Sequence, residues 1–258
     1  MRKVISQDGT KIAYEKEGDG PPIVLVNGAF RDHTIFDALV PELAPHCTTY
    51  VYDRRGRGES GDSPVYAVAR EIEDLEAVIE EAGGQAVVFA GSCGANLALE
   101  AALAGAPITK LALHEPFYRV EGYPKPPGDF LDKLRALLAD GKRGEAADYF
   151  LSDLMGLPPQ VIMEWRKGPL WATNEANAHT LPYDTAICGD FNVPVERVAT
   201  LRTPALVVNS EGTGDWLRAA ARVTAAALAN GWGMQLPGSW HRIEMDVLGR
   251  VLAGFATT

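Results

Sequence analysis

The chain has 258 residues and a formal net charge of −10, enough for one large α/β domain or two small ones. An acidic balance argues against nucleic acid or an anionic membrane as partner. No run of about 18 apolar residues is present, and MRKVISQDGTKIAYEKEGDG has neither an apolar core region nor a cleavage site, so a soluble, cytoplasmic protein is expected.

In chain order, RKVIS and TKIAYEKE flank QDG and read as a hairpin. PPIVLVNG and CTTYVYD are short apolar runs, hence buried strands. The loop DRRGRGESGDSP follows, its glycines suited to turns and its charges able to pair with one another. A helix comes next, with Ile72, Leu75, Val78, Ile79 and Ala82 on one face, stopping at Gly83-Gly84. QAVVFAG is a strand, CGANLALEAALAG a helix and ITKLALHEP a strand. That alternation predicts parallel strands joined by crossover helices.

The alternation then breaks. Residues 117–200 carry several prolines and read as helices over FLDKLRALLADG, GEAADYFLSDLMG, VIMEWRKG and WATNEANAHTL. The α/β pattern resumes with the strand TPALVVNS, the helix DWLRAAARVTAAALAN, the strand WGMQLPG and the closing helix IEMDVLGRVLAGF. The expected organisation is an α/β core over 1–116 and 201–258 and a helical cap over 117–200. The cap follows a central strand, where loops face the ligand crevice.

FAGSCGA is a strand running through a sharp turn into a helix, a place that often holds a strained nucleophile between small residues. Spacing alone does not choose between its two candidates. Around Cys93 the flanking residues are Gly91 and Ala95; around Ser92 they are Ala90 and Gly94. Cys93 is the favoured centre, because the glycine before the turn then falls where the G-x-S-x-G pattern has it and Gly94 N–H would begin the helix. A thiol at a helix N-terminus beside a histidine ionises readily. Such a cysteine is either a natural nucleophile or a replacement of an elbow serine.

At these residues the chain resembles the α/β-hydrolase fold family over nearly its whole length. VLVNGAF is similar to the family's H-G-x loop, with Asn27 in place of histidine, and YDRRGRGES to its D-x-R-G-x-G-x-S loop. FAGSCGA is similar to the nucleophile elbow and LPGSWH to the last strand with its histidine. The resemblance implies a mostly parallel central sheet flanked by helices, with a helical cap inserted between strands. It also implies Cys93 as nucleophile, His241 as base, and Ala29 and Gly94 as oxyanion-hole donors. Three residues compete for the acid. Glu115 follows the strand LALH, Asp215 opens a long helix where it could serve only as an N-cap, and Glu211 lies between them.

The cysteines Cys47, Cys93 and Cys188 have no C-x-x-C spacing, and the five histidines form no H-x-x-x-H pair, so neither a disulfide framework nor a metal or cofactor is expected. The expected function is cleavage of an ester, lactone or thioester of a small, partly apolar substrate through an acyl-Cys93 intermediate. Two alternatives stay open: a non-hydrolytic enzyme of the same fold, and a non-catalytic binder of small ligands. The partner is a small-molecule substrate, with no nucleic acid and no membrane; a homodimer is compatible with the sequence.

Overall fold

A computed structural model describes residues 1–258. A hairpin opens the chain, β1 (Arg2–Ile5) and β2 (Lys11–Glu17), followed by β3 (Pro22–Val26), the short α1 (Val40–Leu43) and β4 (Thr48–Tyr52). The α/β alternation continues as α2 (Val68–Glu81), β5 (Ala86–Gly91), α3 (Cys93–Ala104) and β6 (Ile108–His114). Six helices come next: α4 (Phe130–Ala139), α5 (Arg143–Tyr149), α6 (Pro159–Arg166), α7 (Trp171–Asn177), α8 (Leu181–Ile187) and α9 (Val195–Val198). The chain closes with β7 (Ala205–Ser210), α10 (Asp215–Ala227), β8 (Gly231–Leu236), the two-residue pair β9 (Gly238–Ser239) and β10 (Arg242–Ile243), and α11 (Met245–Thr257).

The main sheet has the order β1-β2-β4-β3-β5-β6-β7-β8. Only the β1–β2 and β2–β4 pairings are antiparallel; the other five are parallel. Alternation along each strand sorts side chains to two faces. Val24, Val88, Leu111 and Val207 pack with α2, α3 and α10 on one face. Leu25, Phe89, Ala112 and Val208 pack with α1 and α11 on the other. The helices stop where the sequence supplies glycine: Gly83 and Gly84 follow α2 at φ 110° and 87°, and Gly105 follows α3 at φ 93°, conformations a Cβ would oppose.

A third apolar cluster lies between the sheet's strand ends and the helical insertion. Phe30, Cys93 and Leu217 come from the core, and Phe117, Phe130, Leu134, Phe150, Leu154, Trp171 and Cys188 from the insertion. The insertion departs from the sequence reading at its end. WATNEANAHTL does not run as one helix; a 3-10 turn over Ala178–Thr180 separates α7 from α8, whose first turn contains Pro182. Proline fits there because its missing N–H would have had no helical partner.

Charge ties the insertion to the core. Arg54, Arg55 and Arg57, from the loop after β4, are all buried. Arg54 makes paired bonds of 2.7 and 2.8 Å to Glu71 and a third of 2.8 Å to Asp184 on α8. Arg55 grips Asp74 at 2.7 and 2.8 Å. Arg57 grips Asp184 at 2.8 and 2.9 Å and donates to Gly28 O at 2.5 Å and Asn27 Oδ1 at 3.2 Å. Tyr183 of α8 stacks on Tyr66, centroids 3.9 Å apart. The Arg-Gly loop is therefore a structural device, and Asn27, where histidine was the usual residue, is one of its acceptors. No helix of the protein is long and apolar enough to cross a membrane.

Candidate active site

The turn between β5 and α3 answers the question its sequence left open. Ser92 holds φ 55° and ψ −130°, a conformation that costs an L-residue energy and persists only when its surroundings enforce it. They do so here on three sides. Ser92 N donates to His114 O at 2.9 Å, and Ala95 N to Ser92 O at 2.9 Å, which starts the helix. A Cβ on Gly94 would lie 2.5 Å from Asn27 O, and one on Gly28 would lie 2.9 Å from Ser92 Cβ. Those two close approaches require glycine. The small residues that let strand and helix meet are thus Ala90 and Gly94, and the residue centred between them is Ser92.

This corrects the expectation for Cys93. Cys93 is already the first residue of α3, it is 1% exposed, and its Sγ lies 3.8 Å from Cys188 Sγ. It is a buried thiol on the insertion side of the turn. Gly94 is corrected with it: one place further along the helix than the residue after the strained turn, it is the contact point with β3. Spacing could not separate the two registers, since small residues flank both; the backbone torsion does.

His241 sits at the tip of the β9–β10 hairpin with φ 51°, and Glu115 follows β6 with φ 47°. One residue turns the hairpin and the other leaves the sheet, and their side chains meet. Glu115 is fully buried, and its Oε2 accepts a short hydrogen bond from His241 Nδ1. That bond assigns the proton to Nδ1 and leaves Nε2 as the free nitrogen. Glu115 Oε1 accepts from Ser210 N at 2.9 Å and lies 3.2 Å from Ser210 Oγ, which is 2.5 Å from Ser239 O in the hairpin carrying His241. Burial works to raise the Glu115 pKa; hydrogen bonds and opposite charge from His114 and His241 outweigh it and hold the carboxyl well below the usual range.

Asp215 and Glu211 do not join this pair. Asp215 is exposed and bonds Arg218 at 3.2 Å; the N-cap of α10 is Gly214, so Asp215 is the first helical residue rather than the cap. Glu211 is exposed, with its backbone N bonded to Leu236 O. Ala29 follows Gly28 in the loop pressed against Ser92.

Two contributors have no sequence signal of their own. Ser210 looks like any strand-end serine. His114 stacks on His241 with centroids 5.4 Å apart, and its Nε2 lies 3.6 Å from Glu115 Oε1. Burial, only partly offset by Glu115, lowers the His114 pKa and favours the neutral ring. Nitrogen and oxygen atoms of His114, Glu115 and His241 lie within 4.8 Å of one another, but a metal there would compete with the His241–Glu115 hydrogen bond. Over the site, Trp240 lies between His241 and Trp165 of α6, at 5.7 and 5.8 Å.

A strained serine between strand and helix, with a histidine–carboxylate pair across the same strand ends, is the arrangement of a known family. Residues 23–251 match the alpha/beta hydrolase family. The chain belongs to it. An alpha/beta hydrolase from Sphaerobacter thermophilus is 46% identical with a TM-score of 0.96, covering 99% of this chain and 100% of that one. An esterase from Exiguobacterium antarcticum shares the fold at 19% identity and a TM-score of 0.78, covering 99% of both chains. A probable oxidoreductase EphD of Mycobacterium tuberculosis is 42% identical over 85 residues, a stretch that spans 31% of this chain and only 14% of that protein.

Proposed function

We propose that this alpha/beta hydrolase cleaves carboxylic esters through an acyl-Ser92 intermediate. His241 Nε2 takes the Ser92 hydroxyl proton as Oγ attacks the carbonyl carbon. The negative charge moves to the carbonyl oxygen, between the backbone N–H groups of Ala29 and Cys93. The same nitrogen then returns its proton to the departing alkoxide. Water repeats the sequence on the acyl-enzyme, releasing the acid and restoring Ser92. Glu115 orients the imidazole and stabilises its protonated form. The helical insertion serves as a cap, and its apolar lining favours a substrate with a sizeable apolar part.

The observation that carries this reading is the strained turn at Ser92 opposite the His241–Glu115 pair. The order serine, acid, histidine along the chain is also that of α/β-hydrolase triads. The test is intact-mass spectrometry and peptide mapping after brief exposure to an aryl ester, with two variants beside the wild type. Ser92→Ala is expected to lose activity by about 10³-fold or more and to form no adduct. Cys93→Ala is expected to stay within a few-fold of wild type. An acyl group mapped to Cys93, or an active Ser92→Ala protein, would reject the assignment.

A further inference from the structure

Four arginines are buried: Arg54, Arg55, Arg57 and Arg119. The first three each hold at least one carboxylate through two bonds. Arg119 holds none. Its Nε donates to Pro124 O at 3.1 Å and its Nη2 to Leu154 O. Its guanidinium carbon lies 3.5 Å from the Trp216 ring centroid and 5.2 Å from that of Phe117. Its Nη1 is buried with no hydrogen-bond partner. Two carbonyls and an aromatic face offset part of the cost of burying a cation. A full positive charge and one unused N–H₂ group remain, an arrangement that is expensive unless an anion completes it. Burial, only partly opposed by the thiols of Cys188 and Cys93, pulls the Arg119 pKa down to about 10.

Arg119 is linked to the elbow and to the base through packed side chains. Phe117 belongs to the apolar cluster that contains Cys93, the residue after Ser92, and Trp216 packs against the same cluster. Gly214 separates Trp216 from Trp240, the neighbour of His241: a side-chain carbon there would meet both indoles, at 3.7 and 3.6 Å. The guanidinium is therefore bracketed by side chains that lead to the elbow on one side and to the base on the other. Arg31, two residues after Ala29, shows a weaker form of the same pattern. It is half-buried, donates to Asn174 Oδ1 at 3.1 Å and has no ion-pair partner. The remaining unpaired arginines are exposed.

We infer that Arg119 anchors a carboxylate carried by the substrate, through the Nη1 edge that the protein leaves unused. The substrate class is then an ester with a free carboxylate several bonds from the scissile carbonyl, such as a half-ester of a dicarboxylic acid. The inference rests on the ester-hydrolase reading. The cluster beside Phe117 would hold the chain between the two carbonyl groups, and the cap would exclude water from the ion pair, which strengthens it.

Ethyl hemiadipate and ethyl hexanoate have acyl chains of equal length and differ in the terminal carboxylate. Acid release from each is followed by pH-stat, and binding of adipate is followed by calorimetry at fixed ionic strength. The wild type is expected to prefer the anionic ester by at least about tenfold in kcat/KM and to bind adipate. In Arg119→Gln, which keeps hydrogen-bond donors for the two carbonyls, the preference is expected to collapse towards one through KM. Equal turnover of both esters by the wild type, or an Arg119→Gln protein that loses both equally and keeps the ratio, would overturn the inference. Should Arg119→Gln fail to fold, wild-type adipate binding and ester preference decide it alone. Adipate binding without hydrolysis of either ester would reject the hydrolase reading and leave the anion site standing; hydrolysis without preference or binding would do the reverse.

Discussion

Asp184 offers the sharpest test of how the insertion and the loop against Ser92 are held together. It is fully buried on α8 and meets two guanidiniums, Arg54 at 2.8 Å and Arg57 at 2.8 and 2.9 Å. Asp184→Asn keeps the size and one acceptor oxygen but removes the charge. Arg54 would keep its two bonds to Glu71. Arg57 would keep only neutral acceptors: Thr180 Oγ1, Asn27 Oδ1 and backbone carbonyls. One buried cation is thus left uncompensated. Breaking a buried pair in this way costs about 3–5 kcal/mol, and the retained acceptor places this case near the lower end. For a chain of this length, about 3 kcal/mol lowers Tm by roughly 6–12 °C. Arg57 also donates to Gly28 O in the loop against Ser92, so kcat on an aryl ester should fall as well. Combining Asp184→Asn with Arg57→Met should cost less than the sum of the two single changes, since the second removes the cation that the first strands. Circular dichroism melts and initial rates measure both effects. A Tm drop under about 2 °C with unchanged kcat would refute the claim that these charges hold the loop.

Other outcomes follow from the same geometry. Glu115→Gln would present His241 Nδ1 with an amide and is expected to lower kcat by about 10²–10⁴-fold, whereas Asp215→Asn, at an exposed site, should stay within about twofold; a larger loss at Asp215 would reassign the acid. Gly94→Ala would set a Cβ 2.5 Å from Asn27 O and is expected to lower Tm and disturb the elbow, read by melting and by loss of acylation. Stability should fall as pH drops below 6.5, because the unfolded chain takes up a proton that the half-buried His114, its pKa lowered by desolvation, resists; His114→Asn should flatten the slope between pH 7 and 5. Glu115 acts with the same sign at lower pH. Its depressed pKa gives stability that is present above the ordinary carboxyl pKa and lost as pH falls towards the folded value. Urea melts across pH read both slopes.

The sheet was readable because its strands are short apolar runs bounded by glycine and proline, and the parallel order follows from their alternation with helices. The elbow was readable as a place but not as a residue. Small side chains flank both Ser92 and Cys93, and the deciding torsion is imposed by β3 and β6, far away in sequence. Glu115 stood among three acids because its partners, Ser210 and His241, lie 95 and 126 residues away. The partner of Arg57 was hidden for the same reason, 127 residues along the chain inside the insertion. The helices α8 and α9, of seven and four residues, are too short to show an apolar period, and a buried ion pair at Asp184 shares with Leu181, Ile187 and Val198 the task of fixing their place.

The ion pairs at Asp184 also divide the insertion mechanically. The α8 end is bolted to the core by two buried arginines and a stacked tyrosine pair, so it can leave only by exposing charges to incomplete solvation. The α6 end has no such fastening. Ile162 is the only buried side chain on α6, and Trp165 meets Trp240 edge-on. Any breathing of the insertion should therefore pivot about α8 and open at α6, beside Trp240 and above the imidazole of His241. The amide protons of α6 should exchange with solvent well before those of α8, and a substrate would come in along the tryptophans rather than past the arginines.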